Sequence, residues 1–336
     1  MLTYSQNEAL AVLEDHAQSS SAFLCLNTGN EYFTSPDCPG VIAYKPAGRK
    51  YWIQFTGACA TSTSEQKLLD AAFAQAATRA HKRVIAVQLS RPDAERAAEA
   101  GWVVNQLGCS YSIDLSSFTL RGQKFVKTRN MISRSRREGV VVSETTPEQL
   151  QEPGLAAQLD QIDAAWLRDK GRHVKELRLM VGERGGPVQE KRRLFLAEAA
   201  GRVVAYISYS PAFGEQSGWL YDLTRRLPDA PPGVIEHIFA EAADNLREAG
   251  AEWLHLGFTP FVDIRPEYDF TDASSPLLTK ATSLVRKHGA ALYPANSQLS
   301  FKLKWRPQVV TPEYIAFPSR IRLRDVWYLA RATNSL

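Results

Sequence analysis

The sequence predicts an α/β chain of the α+β kind, built from two tandem domains of one plan, each a mixed central sheet flanked by helices. Two observations carry this. Both halves read hairpin, helix, strand, helix closed by a glycine, and then two strands. Residues 218–261 spell one unit of the plan as strand, loop, helix, strand. In 218–225, Trp219, Tyr221 and Leu223 alternate with Leu220, Asp222 and Thr224, a period of two. That pattern places Asp222 and Thr224 on the face opposite the aromatics. Aspartate fits a strand interior poorly, so its presence needs a reason.

The proline-rich 227–233 cannot continue a strand. Val234, Ile235, Ile238, Phe239, Ala242, Ala243 and Leu246 then recur at helical spacing, with Pro232 suited to the first turn and Gly250 to the stop. Residues 253–257 form a strand that the crossover rule makes parallel to the first. A strand-end Asp222 beside Arg225, facing a helix N-terminus, is where open α/β sheets hold ligands.

In the first half, 5–20 reads as a helix. Strands 41–44 and 51–55 join around Gly48, and 64–79 is helical with Ser64 as N-cap. Strand 84–89, a helix over 92–100 ended by Gly101, and strands 102–106 and 111–115 follow. The second half repeats this with a hairpin over 194–198 and 203–209, the 218–257 unit, a helix over 277–288 ended by Gly289, and strands 290–293 and 298–304. The domains are expected at 1–120 and 146–336, joined by a basic helix within 121–145.

A hydrophobic content of 44% and a charged content of 23% are those of a soluble globular protein. No stretch approaches the roughly 18 apolar residues of a spanning helix. The opening MLTYSQNEAL has no basic, apolar secretion signal, which predicts a cytoplasmic protein. Cys25, Cys38, Cys59 and Cys109 lack CxxC spacing and read as free thiols, with no thiolate–histidine pair for a covalent intermediate. The six histidines form no metal-ligand pattern, so no metal is expected.

Charge is unevenly placed. Residues 121–137 carry seven bases and no acid, and 302–331 carry a net +5, which leaves −8 on the rest of a chain whose total is +4. Concentrated bases on an otherwise acidic protein point to a polyanion, RNA or an anionic membrane surface. Lys124, Lys127, Arg129, Arg134, Arg136 and Arg137 are the candidate RNA contacts; a merely solvated face is the alternative. The tail RIRLRDVWYLAR, 320–331, has three readings: packing on the core, touching RNA, or lying on anionic lipid.

The element order resembles the N-acetyltransferase (GNAT) fold twice over. Acyl-CoA enzymes of that fold open the central helix with a glycine-rich loop whose N–H groups approach the pyrophosphate. Here that loop is LPDAPPG, 227–233: three prolines remove donors and Asp229 repels phosphate. CoA is therefore not expected, and no other cofactor is.

Several stretches are similar to one family, the catalytic domain of the lysyl- and alanyl-phosphatidylglycerol synthases. They are GNEYFTSPDCPGVIAY, the 109–118 and 122–139 junction with its Arg129-Asn130 pair, IDAAWLRDK, YDLTR with PDAPPG and LGFTP, and FKLKW through Pro312 to Tyr314. Thr224 and Pro232 depart from its pattern, and the membrane-embedded half of many members has no counterpart here. The resemblance implies tandem GNAT-like domains that take an amino acid from aminoacyl-tRNA as co-substrate. The acceptor is then a hydroxyl or amine on a phosphatidylglycerol-type lipid or on a small natural-product metabolite, with peripheral contact to an anionic membrane. Asp222 would bind an ammonium or take a proton, and Arg225 would grip a phosphate or carboxylate; a strand-end ion pair is the plain alternative. Lys302 and Lys304, two apart on one strand face, would stabilise an oxyanion or only guard a sheet edge. Trp166, Lys170 and Thr259 are placed at the pocket, though a core tryptophan and a surface lysine explain the first two as well. An acyl-CoA-dependent GNAT enzyme and a non-catalytic RNA- or membrane-binding protein remain the competing functions.

Overall fold

The computed structural model describes residues 2–169, 181–186, 188–280 and 295–333. The first half runs β1 (Leu2–Tyr4), α1 (Gln6–His16), β2 (Glu31–Ser35), β3 (Cys38–Ala47), β4 (Tyr51–Phe55), β5 (Cys59–Ala60), α2 (Thr63–Arg79), β6 (Arg83–Leu89), α3 (Arg91–Glu99) and β7 (Val103–Asp114). Helix α4 (Val126–Arg137) leads to β8 (Val141–Thr145), α5 (Pro147–Leu150), α6 (Pro153–Asp169), β9 (Arg193–Ala199), β10 (Arg202–Ala212), β11 (Gly218–Arg226), α7 (Val234–Glu248) and β12 (Trp253–Pro260). A helix Ala295–Leu303, β13 (Val309–Phe317) and a terminal helix Leu323–Ala332 close the described chain.

Both halves are GNAT-like. In each, an antiparallel hairpin (β3–β4, β10–β11) is followed by a helix and a strand parallel to the second hairpin strand: β4 with β6, β11 with β12. All other pairings are antiparallel, and one continuous sheet runs β1-β2-β3-β4-β6-β13-β7-β12-β11-β10-β9-β8. The order reveals a reciprocal exchange. Strand β13, late in the chain, lies between β6 and β7, while β7 of the first half pairs with β12 of the second. Neither half's sheet is complete without a strand from the other.

Capping explains the helix starts. Ser62, not Ser64, caps α2 by accepting from Glu65 N, and Ser90 forms a capping box with Asp93. Strand β7 is continuous where two strands were expected; the register against β13 slips between Glu313 and Tyr314, leaving Leu107 as an extra residue. The expected 277–288 helix begins at 276–280, but its remainder and strand 290–293 lie outside the described residues. The apolar side of α7 (Val234, Ile238, Phe239, Ala242, Leu246) packs with Tyr111, Ile207, Tyr209 and Trp305. On the opposite sheet face, Leu159 and Ile162 of α6 pack with Leu194, Leu196, Tyr206 and Leu223. All four cysteines are buried free thiols.

One expectation fails clearly. Residues 298–304 are not a strand: 295–303 is helical and Lys304 follows it. The alternation of Leu299, Phe301 and Leu303 imitates a strand, but Phe301 and Trp305 at i and i+4 meet one aromatic cluster. Trp305 stacks on Phe239 at 3.8 Å, and Phe301 stacks on Tyr221 at 5.4 Å.

Candidate active site

Asp222 occupies an irregularity in β11. Ser208 pairs with Leu223 and Tyr209 with Tyr221, so Asp222 is the extra residue of a β-bulge. A bulge re-aims the side chains beyond it. Tyr221 packs against Phe239 of α7, whereas Leu223 joins the α6 cluster. Asp222 turns to the α6 side as well, where it accepts a hydrogen bond from Ser210 Oγ. Arg225, three residues on, faces the same helix: its guanidinium lies 3.9 Å from the centre of the Trp166 ring, and its Nε lies 3.9 Å from Asp163 Oδ1. Without the bulge, an odd separation would put Asp222 and Arg225 on opposite faces. Thr224 is thereby turned away from Asp222, contrary to the simple alternation, to the Tyr221 side, and its buried hydroxyl has no hydrogen-bond partner among the described residues.

The surroundings of Asp222 are polar, buried and drawn from both halves. Arg192 Nε lies 3.6 Å from Asp222 Oδ2, with both side chains fully buried. Arg192 also donates to Asn27 Oδ1 at 3.2 Å and lies over Phe23, both of the first half. Asn27 Nδ2 in turn donates to the Val181 carbonyl, and Thr28 donates to Glu183. Gly182 lies against the carboxylate: a Cβ there would stand 2.4 Å from Asp222 Cγ. Burial pushes the Asp222 carboxyl up to about 6, against the opposing pull of Arg192 and Ser210. Among the described residues, Asp222 Oδ1 and Arg192 Nη1 have no hydrogen-bond partner. Next to this, Asp163 accepts from Arg184 at 2.8 Å and from the Tyr206 hydroxyl.

The parallel pair β11 and β12 is joined only from Gly218–Leu220 to Trp253–His255. Beyond that the strands part, with Tyr221 and Asp222 on one arm and Gly257 to Thr259 on the other. The helix Ala295–Leu303 bridges the arms. Phe301 stacks on Tyr221, while Lys302 Nζ donates to the carbonyls of Gly257 and Phe258 at 2.7 and 2.8 Å. Burial lowers the Lys302 ammonium to about 7, with Glu313 opposing. Glu313 itself, raised by burial, accepts from Ser110 and Gln88. Lys304 does not share a face with Lys302: it donates to Glu236 of α7 at 2.6 Å. Thr259 is buried, and its hydroxyl has no partner among the described residues. The structure thus turns Asp222 and Arg225 to the same sheet face, with Trp166 against Arg225, sets Lys302 and Thr259 on the other arm, and leaves Lys304 outside. Lys170 lies outside the described residues.

Sequence reasoning missed Arg192, Asp163, Arg184 and Ser210. The signal for the last was present: Tyr206, Ser208 and Ser210 form a polar stripe of period two on an otherwise apolar strand. Arg192 hid in the surface-like run Lys191-Arg192-Arg193.

Of the six basic candidates around α4, Arg129 donates to the Leu120 and Gly122 carbonyls, Arg134 pairs with Glu138, and Arg136 pairs with Glu241. Lys124, Lys127 and Arg137 are exposed, without an ion pair to any described residue. Gly233, at φ +83°, precedes α7 and lies against Met131 of α4; a Cβ there would stand 2.2 Å from the Met131 carbonyl oxygen.

A doubled GNAT-like scaffold, with a buried carboxylate beside two separating parallel strands, is the frame of the site. The chain belongs to the family described as phosphatidylglycerol lysyltransferase, C-terminal, whose model matches residues 10–317; this is a family of aminoacyltransferases. It is 30% identical over 172 residues to the lysylphosphatidylglycerol biosynthesis bifunctional protein LysX of Mycolicibacterium vanbaalenii, covering 51% of this chain and 15% of that protein. It is 24% identical over 228 residues to the phosphatidylglycerol lysyltransferase of Bacillus subtilis, covering 67% and 25%. The chain therefore matches a quarter or less of the length of these relatives. The structure of L-PGS from Bacillus licheniformis superposes with a TM-score of 0.79 at 22% identity, and that of a C-terminal domain (DUF2156) from Agrobacterium fabrum with a TM-score of 0.77 at 23% identity; each comparison covers 98% of this chain and 95% of the other.

Proposed function

We propose that the chain transfers an amino acid from its ester on tRNA to a hydroxyl of a phosphatidylglycerol-type lipid. The observation that carries this is the buried Asp222 carboxylate, with one oxygen lacking a partner among the described residues, beside the parting of β11 and β12. A desolvated carboxylate in that position suits the ammonium of an aminoacyl group. Names of the relatives supply the lipid acceptor and the aminoacyl chemistry.

The acceptor oxygen attacks the ester carbonyl carbon, the bond to the ribose oxygen breaks, and the acceptor's proton passes to that oxygen. Ester replaces ester, so positioning and oxyanion stabilisation account for the acceleration. Asp222 holds the donor ammonium, Arg192 and Ser210 hold Asp222, and Lys302 fixes the β12 arm as a positioning residue. Lys124, Lys127 and Arg137 meet tRNA phosphates. Two features support a donor other than acyl-CoA: the prolines before α7, and the α4 backbone packed on Gly233 where a pyrophosphate would approach the helix N-terminus.

The test supplies the protein with tRNA charged with labelled amino acids and with phosphatidylglycerol vesicles, and follows label into the organic phase. Label should appear there, and RNase added beforehand should abolish it. Label that never leaves the tRNA would refute the proposal.

A further inference from the structure

The terminal helix Leu323–Ala332 is held to the first half by one side only. Asp325, fully buried, accepts two hydrogen bonds from Arg83, at 2.8 and 2.9 Å, and one from the Tyr51 hydroxyl at 2.9 Å. Tyr328 stacks on Tyr51 at 4.2 Å. The other side meets solvent with Leu323 91%, Val326 50% and Trp327 45% exposed. Arg320, Arg322, Arg324 and Arg331 are exposed around them, and the Arg331 guanidinium lies 5.4 Å from the Trp327 ring centre.

Beside this helix lies a cavity of about 1010 Å³, with an apolar floor that includes Val84 and Trp102 and a rim that includes Lys50, Lys82, Arg322 and Arg324. Among the described residues, no aspartate or glutamate lines it. A basic rim over an apolar floor, flanked by exposed leucine, valine and tryptophan, matches a phosphate head group joined to acyl chains. RNA would use the arginines but would gain nothing from Leu323 and Val326. The contrast with α4 is instructive: among its described residues Val126 alone is an exposed large apolar side chain.

We infer that the terminal helix and the cavity beside it form a docking surface for an anionic phospholipid bilayer. Trp327, Val326 and Leu323 enter the interface while the arginines pair with lipid phosphates. Arg83 is committed to Asp325 and holds the helix in place. The inference concerns binding alone, so it stands or falls separately from the transfer reaction.

Co-sedimentation of the whole chain with vesicles tests it, using phosphatidylcholine alone and phosphatidylcholine mixed with phosphatidylglycerol. Binding is expected to the mixed vesicles only and to weaken with salt. Arg322→Ala with Arg324→Ala should weaken it roughly fivefold per arginine, from about 1 kcal/mol each near an anionic surface. Leu323→Ser with Trp327→Ser should weaken it on the order of tenfold or more. These side chains are exposed, so both variants keep the fold, which circular dichroism verifies. Equal binding to neutral vesicles, unchanged binding of both variants, or a loss in the variants of tRNA binding instead of vesicle binding would each overturn the inference.

Discussion

Arg192 Nε stands 3.6 Å from Asp222 Oδ2, with both side chains fully buried. A buried pair of this kind does not by itself stabilise a fold, but removing one partner leaves an uncompensated charge. Arg192→Met is expected to destabilise the chain by about 3 to 5 kcal/mol. The sign of its pH dependence follows from Asp222, whose folded pKa of about 6 lies above its unfolded value. Such a carboxyl favours the folded state most where it is protonated, and that contribution is lost as pH rises from the unfolded value through about 6. Loss of Arg192 raises the pKa further, so the deficit should be larger above pH 6 than below it. Urea denaturation on both sides of that pH checks this.

Gly182→Ala tests the closeness of the 181–186 segment to the carboxylate. The new Cβ would meet Asp222 Cγ at 2.4 Å, so either the segment or the carboxylate must move. Overpacking of this kind costs about 1 to 3 kcal/mol. Transfer activity should fall well beyond what the lost stability explains if the displaced group holds the donor, as proposed. Full activity in a correctly folded variant would mean that Asp222 tolerates displacement.

Lys124, Lys127 and Arg137 are the exposed bases, without an ion pair to any described residue, that are proposed to meet tRNA. Reversing the three to glutamate should raise the KM for charged tRNA and flatten its salt dependence, by about 0.7 to 0.9 in the log–log slope per lost phosphate contact. The kcat at saturating tRNA should change little. Arg129→Ala should instead lower thermal stability, since Arg129 donates to the Leu120 and Gly122 carbonyls at the start of the α4 segment.

Lys302 ties the helix Ala295–Leu303 to the β12 arm, and its folded pKa of about 7 lies below the ordinary value of 10.5. Between those values the unfolded chain holds a proton that the folded chain lacks, so the wild-type stability contribution rises with pH across that window. Lys302→Met should lack that rise. The difference between the two denaturation profiles from neutral to alkaline pH measures it.

Much of this architecture could be read from residues 218–261. The alternation around Tyr221, the prolines before Val234, and Gly250 after the helix each have a local cause, and β11, α7 and β12 form there, though the bulge breaks the alternation at Asp222 and the helix starts only after Pro232, at Val234. Asp222 stood out because a carboxylate in a strand has to be explained. What escaped was non-local. The exchange of β13 and β7 depends on pairing across some two hundred residues, which no local pattern records. The bulge that brings Arg225 to the side of Asp222 depends on Ser208 and Tyr209 of the neighbouring strand. Lys302 was misplaced because an alternating run of seven residues satisfies a strand and a helix alike until the aromatic cluster around Phe239 decides between them.

The most direct measurement of the central claim is calorimetric binding of a non-hydrolysable aminoacyl-adenosine amide to the wild type and to Asp222→Asn. It is made above and below the Asp222 pKa of about 6. The account predicts binding by the wild type that weakens as pH falls through that value, and binding by the variant that is on the order of a hundredfold weaker and indifferent to pH, as loss of a buried charged partner implies. Equal affinity of the two proteins at the higher pH would contradict it.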